Sequence, residues 1–212
     1  MKRNFHIIFI LILLFIAGLS PAFSQQRSVD AVGSHSFVAG PTSLEFDLKP
    51  AGGECLNWSW AACLQGVFKF YGLETSQEAI VKKLFKGAPC STPNSYAVQN
   101  GVSGWAPDSG KTFSTVYAQG GVWTNDKIVA TLAARAPMIV TLQNSASSKQ
   151  VYILISIYYT EDGGMKVPDK VVLMEPAADA PPFITLPWDQ FQGKKPEYFK
   201  FWVNKKTAPV KK

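Results

Sequence analysis

Thiols and imidazoles carry much of protein nucleophile, redox and metal chemistry, and this chain holds few of them: Cys55, Cys63, Cys90, His6 and His35. Three thiols allow one internal disulfide and leave one cysteine over. Cys63 falls inside a predicted helix, whereas Cys55 and Cys90 lie in loops flanked by Gly and Pro. The favoured pair is therefore Cys55 with Cys90, and Cys63 with Cys90 is its rival. A tetrahedral structural zinc takes four Cys or His ligands in close pairs, a pattern the chain lacks, so no metal and no other cofactor is expected. His35 precedes every predicted helix and reads as an exposed loop residue. Ser59, in the first turn of the predicted helix, has the ordinary role of a small polar residue satisfying a backbone amide.

The elements that must position these groups follow from pattern. The run Trp58–Tyr71 repeats apolar or small residues at three and four, with Asn57 as N-cap and Gly72 as stop. Thr75-Ser76-Gln77-Glu78 has capping-box spacing for a second helix that ends at Gly87. Asn125–Ala134 is a weaker third helix. Strand patterns occupy Pro137–Gln143, Gln150–Thr160, Lys170–Met174 and Tyr198–Val203, with a turn at Glu161–Gly164 and one further strand around Ser43–Leu48. Helices first and antiparallel strands second predict an α+β domain of two lobes meeting at one face.

The chain's 212 residues are 47% hydrophobic and 17% charged, inside the globular range and within the size of one domain. Its start reads differently. Lys2 and Arg3, the apolar run Ile7–Leu19 and the small-residue site Ala22-Phe23-Ser24 form a secretory signal peptide over 1–24. Its apolar run is shorter than the ~18 residues a spanning helix needs, so no stable membrane insertion is expected after cleavage. The predicted location is secreted or periplasmic. The formal charge of +6 is concentrated at the other end, where Lys194–Lys212 holds seven Lys and one Glu. The rest of the mature chain is slightly acidic, which gives no support to a nucleic-acid partner.

The run Asn57-Trp58-Ser59-Trp60-Ala61-Ala62, closed by Tyr71-Gly72, resembles the active-site helix of secreted bacterial papain-like cysteine peptidases, the bacteriocin-processing and staphopain-like branch. Arg135-Ala136-Pro137-Met138-Ile139-Val140 is similar to a downstream strand of that family. The likeness covers about residues 50 to 192. It implies a papain-like fold, with an N-terminal helical lobe packed on a C-terminal antiparallel β-sheet lobe. The organisation expected is a lead-in segment at 25–49, a papain-like domain at 50–204 and a basic tail at 205–212.

Family chemistry needs a thiolate at a helix N-terminus, a His base, a carboxylate or amide to orient the His, and a Gln donor for the oxyanion. The matching positions here hold Ser59 for the nucleophile, Val151 for the His (Gln150 if the register slips by one), Glu175 for the orienting group and Glu54, or Gly53, for the Gln. No His follows His35, so no imidazole arrives from the sheet lobe in any register. The resemblance thus implies a pseudopeptidase, not an enzyme, that binds a peptide or protein partner in the interlobe cleft through Trp58, Ser59, Trp60 and Gln150. The alternative is an active cysteine or serine peptidase with a rearranged site, such as Cys63 or Cys55 with His35. A third reading takes the fold as a stable body for surface contacts.

Overall fold

The computed structural model describes residues 29–31, 35–46, 55–108, 114–146, 148–176 and 183–205. The predicted signal peptide, Gly53, Glu54 and the tail beyond Lys205 lie outside them.

Helix α1 (Ser59–Phe70) is apolar on nearly every side, and Trp60 to Leu64, Gly66, Val67 and Phe68 are buried. Such a helix belongs in the middle of a domain rather than on its surface. Its end uses a Schellman turn: Gly72, at φ +78°, lets the Leu73 N–H reach the Phe68 carbonyl at 2.9 Å while its own N–H bonds Lys69 O at 2.8 Å. Tyr71 then donates its hydroxyl to Phe201 O at 2.9 Å, tying this end to the sheet.

Helix α2 (Gln77–Leu84) starts one residue later than the capping-box spacing suggests, because Ser76 and not Thr75 accepts the Ala79 N–H. Helix α3 (Ser95–Val102) is absent from the sequence expectation. Its Asn94 cap accepts from the Ala97 N–H at 2.8 Å. Gly101 inside it lets α2 approach, since a Cβ there would lie 2.9 Å from Leu84 Cγ. Helix α4 (Asn125–Ala133) matches the third predicted helix and is capped by Thr124. The short α5 (Trp188–Gly193) was not expected.

The strands are β1 (Val29–Ala31), β2 (Ser36–Ala39), β3 (Ser114–Gly120), β4 (Met138–Gln143), β5 (Lys149–Asp162), β6 (Met165–Met174), β7 (Phe183–Pro187) and β8 (Glu197–Lys205). They form one antiparallel sheet. The order β7-β6-β5-β4-β8-β3 runs across it, and β2 with β1 pairs beside the second half of β5. Two strands thus come from the segment read as a lead-in, and the sheet begins before residue 50. The strand expected around Ser43–Leu48 is instead a 3₁₀ turn at Ser43–Glu45. There the Thr42 N–H bonds Glu45 Oε1, and the Glu45 carboxylate also pairs with Arg135. A local side-chain bond competes successfully with a ladder in such a segment.

Strand alternation sorts the side chains onto two faces. Ile139, Val151, Ile153, Phe199 and Phe201 face α1–α3. Met138, Val140, Tyr152, Leu154 and Tyr198 face the opposite way, into a second core with α4 and α5. The sheet is therefore covered on both sides, where the sequence suggested helices on one. A bulge between Leu154 and Ser156 shifts the parity, so that Ile157 and Tyr159 rejoin the second core. Gly40 sits against that bulge: at φ +133°, any Cβ would fall 2.0 Å from Ile155 O.

Candidate functional site

The start of α1 is fixed from outside by one loop. Cys55, just before the helix, is bonded to Cys90 with Cα atoms 5.4 Å apart, which is the favoured pairing. Trp58 Nε1 donates to Pro89 O at 2.9 Å, Trp60 Nε1 to Ser91 O at 3.1 Å, and Asn57 Nδ2 to Cys90 O at 3.3 Å. Asn57 is thus spent on the loop and does not cap the helix, whose N-cap is Trp58 with no side-chain bond. Ser59 opens α1 and is half-buried.

Helix α1 lies across the beginning of β5. The Cys63 thiol, four residues after Ser59, is 3.5 Å from the Val151 carbonyl oxygen. Ser59 therefore stands one turn, about 6 Å along the axis, from a direct contact with β5. On the sheet, Gln150 Nε2 donates to Glu175 Oε1. The other end of the same carboxamide accepts from Asn144 Nδ2 at 3.0 Å, and Asn144 Oδ1 accepts from Lys194 Nζ at 3.2 Å. Of the two registers read from the sequence, Gln150 and not Val151 meets Glu175. The Val151 side chain packs toward α1 with the first core. Burial pushes the Glu175 carboxyl above its ordinary range.

Between α1, the 92–98 segment and the starts of β5 and β8 lies a cavity of about 510 Å³. Trp60 and Leu64 form its floor, Val151, Ile139 and Phe199 its sheet wall, and Tyr96 on α3 its rim. Tyr96 is 74% exposed. At the mouth, Lys149 Nζ is paired with Glu197 Oε1 at 2.5 Å. Of the residues read as binding positions, Trp60 lines this space; Gln150 lies between two residues that do, and Trp58 turns to the loop. Asn144, Lys194 and Tyr96 were missed, since each is an ordinary surface residue type whose role arises only from which strands and loops are neighbours.

The rearranged pairs are not assembled. Cys55 is oxidised, and Cys63 is fully buried, its thiol pushed well above its ordinary range first by burial and then by the Glu175 charge. His35 is exposed beside Ser36, which pairs with Thr160. Nine residue steps of strand separate Thr160 from Val151, a run of about 30 Å. No group of three or more His, Cys, Asp or Glu among the described residues could hold a metal ion. No helix among them is long and apolar enough to cross a membrane.

No protein-family model and no curated protein matches the chain. One solved structure similar to it is the peptidase domain of Streptococcus ComA, a bifunctional ABC transporter involved in a quorum-sensing pathway. The similarity has a TM-score of 0.46 and 13% sequence identity, and it covers 75% of this chain and 98% of that chain.

Proposed function

We propose that the chain is an exported, papain-like pseudopeptidase that holds a peptide or protein segment in the groove beside α1 without cutting it. The observation that carries this reading is the Gln150–Glu175 pair. A carboxylate that orients an imidazole in a working site here orients a carboxamide, held at its other end by Asn144. A carboxamide nitrogen has no free lone pair to take a proton at neutral pH, so it gives Ser59 no general base, and a serine hydroxyl is a weak nucleophile without one. The Asn57–Ala62 motif supports the papain-like assignment, and the apolar cavity under Tyr96 supports binding, since a bulky apolar side chain of an extended segment fits such a lining. Export rests on the signal-peptide pattern, and the Cys55–Cys90 link suits an oxidising compartment.

The test restores the chemistry. The mature protein is expected to leave peptide substrates uncut above buffer. Ser59→Cys alone yields a reactive thiol with little turnover, and Ser59→Cys with Gln150→His turns over faster, by a general-base contribution of about 10²- to 10⁴-fold. Val151→His in the same background serves as the register control. Hydrolysis by the unaltered protein that disappears in Ser59→Ala would overturn the proposal. The mass of the secreted product, beginning at or near Gln25, checks export.

A further inference from the structure

A second cavity, of about 480 Å³, opens on the other side of the sheet, between the end of β3, the following turn and α4. Its walls carry Lys127 from α4, Lys200 and Gln119 from the paired strands β8 and β3, and the ring of Trp123. Val116, Ala118, Phe199 and Phe201 turn inward to α1–α3, so strand alternation sends Gln119 and Lys200 outward, away from the groove at α1.

We propose that this cavity binds a small ring-bearing oxyanion of the sugar phosphate or sugar acid class. Its volume suits a ligand of that size. Two cations border it and no Asp or Glu does, and neither Lys127 nor Lys200 has an ion-pair partner among the described residues. Their fields add over the same space, so a bound anion relieves the repulsion between them and gains from both. The ring preference comes from the aromatic side. Trp123 packs at 6.5 Å between ring centroids from Tyr198, its indole N–H is buried without a hydrogen-bond partner among the described residues, and it lines the cavity beside the cations. Two register steps from Gln119 and Lys200, and so on the same face, Tyr117 and Trp202 stack at 5.7 Å and continue the aromatic surface along β3 and β8. Aromatic faces pack well on sugar C–H groups, and Gln119 offers an amide for hydroxyls. Gly121, at φ +135°, makes the turn that leaves the cavity open on this side.

Calorimetric titration of the mature chain with glucose 6-phosphate, glucuronate, glucose and inorganic phosphate separates the contributions. Glucose 6-phosphate or glucuronate is expected to bind with a dissociation constant at or below about 1 mM and more weakly as salt rises. Lys127→Ala and Lys200→Ala should each weaken that binding about tenfold, the scale of one charge-assisted hydrogen bond, with thermal melting confirming that both variants fold. Trp123→Phe should weaken it too, and reduces the tryptophan fluorescence change that accompanies binding. No heat from either acidic sugar overturns the proposal. So does inorganic phosphate or neutral glucose binding as tightly as the acidic sugars, or unchanged affinity in both lysine variants.

Discussion

The two halves of β5 make different demands on the chain. Its second half, from Ile157 on, pairs with β2 on one edge and β6 on the other, and its inward side chains are almost fully buried. Its first residues, Lys149 and Gln150, stand where β6 has already ended at Met174 and only β4 continues alongside. Polar groups gather there: Gln150 with Glu175 and Asn144, and Lys149 with Glu197. A ladder satisfied on both edges leaves backbone and side chains no freedom for chemistry, whereas a strand end leaves side chains partly solvated and able to pair across loops. The buried half serves as an anchor and the open half as a platform.

The largest test of that contrast is at the anchor. Gly40→Ala places a Cβ on the Ile155 carbonyl at a backbone angle that disfavours alanine, and should cost about 3 kcal/mol or more, read by denaturant unfolding. A loss under about 1 kcal/mol would mean that β2 yields and the anchor is softer than described. Next comes the tie at the open end. Replacing Cys55 and Cys90 together by Ser should lower stability by about 2 to 4 kcal/mol. It should also expose the Pro89–Thr92 loop to proteolysis, because the indole bonds of Trp58 and Trp60 lose their covalent frame.

Smaller effects sharpen the platform. Gln150→Leu leaves the Glu175 carboxylate and the Asn144 amide without their shared partner, and should cost about 1 kcal/mol. Glu175 gives a pH signature. Its folded-state pKa lies above the unfolded value, so its contribution to stability is full below about pH 4.5 and is lost as pH rises through the folded pKa. Glu175→Gln keeps an acceptor for Gln150 but does not titrate. The variant should therefore gain stability relative to the parent as pH rises from 4 to 7, and a pH-independent difference would contradict the burial assigned to Glu175. The smallest effect is a null one. Cys63 should resist thiol reagents until the protein unfolds, as mass measurement of the labelled chain would reveal.

Much of this architecture was legible in the residues themselves. The spacing of Trp58, Ala61, Ala62, Val67 and Phe68 announces α1, and the Val- and Ile-rich runs announce β4, β5, β6 and β8, because long periodic apolar patterns leave few other ways to bury them. The preference for Cys55–Cys90 followed from placing Cys63 in a helix. Short elements escaped. Helix α3 is eight residues with a Gly inside, and β2 is four, so each repeats its pattern only about twice, and each forms because a neighbour is already in place.

By itself the sequence determined which groups exist: a serine at the head of an apolar helix, no histidine after His35, one carboxylate before Pro176, and three cysteines of which two could pair. Only the tertiary structure decided which of them meet. The linear alignment puts Val151 at the His position and Gln150 there only after a one-residue slip, but a one-residue step on a strand reverses the face a side chain takes. The β4–β5 ladder at Gln150 and Val151, next to the end of the β5–β6 ladder, sends Gln150 to Glu175 and Val151 toward α1. Likewise, nothing in the spacing of Lys127 and Lys200 brings them to one cavity. That follows from β3 and β8 pairing at Gln119 and Lys200 while α4 packs on the same face, a long-range arrangement that no local pattern encodes.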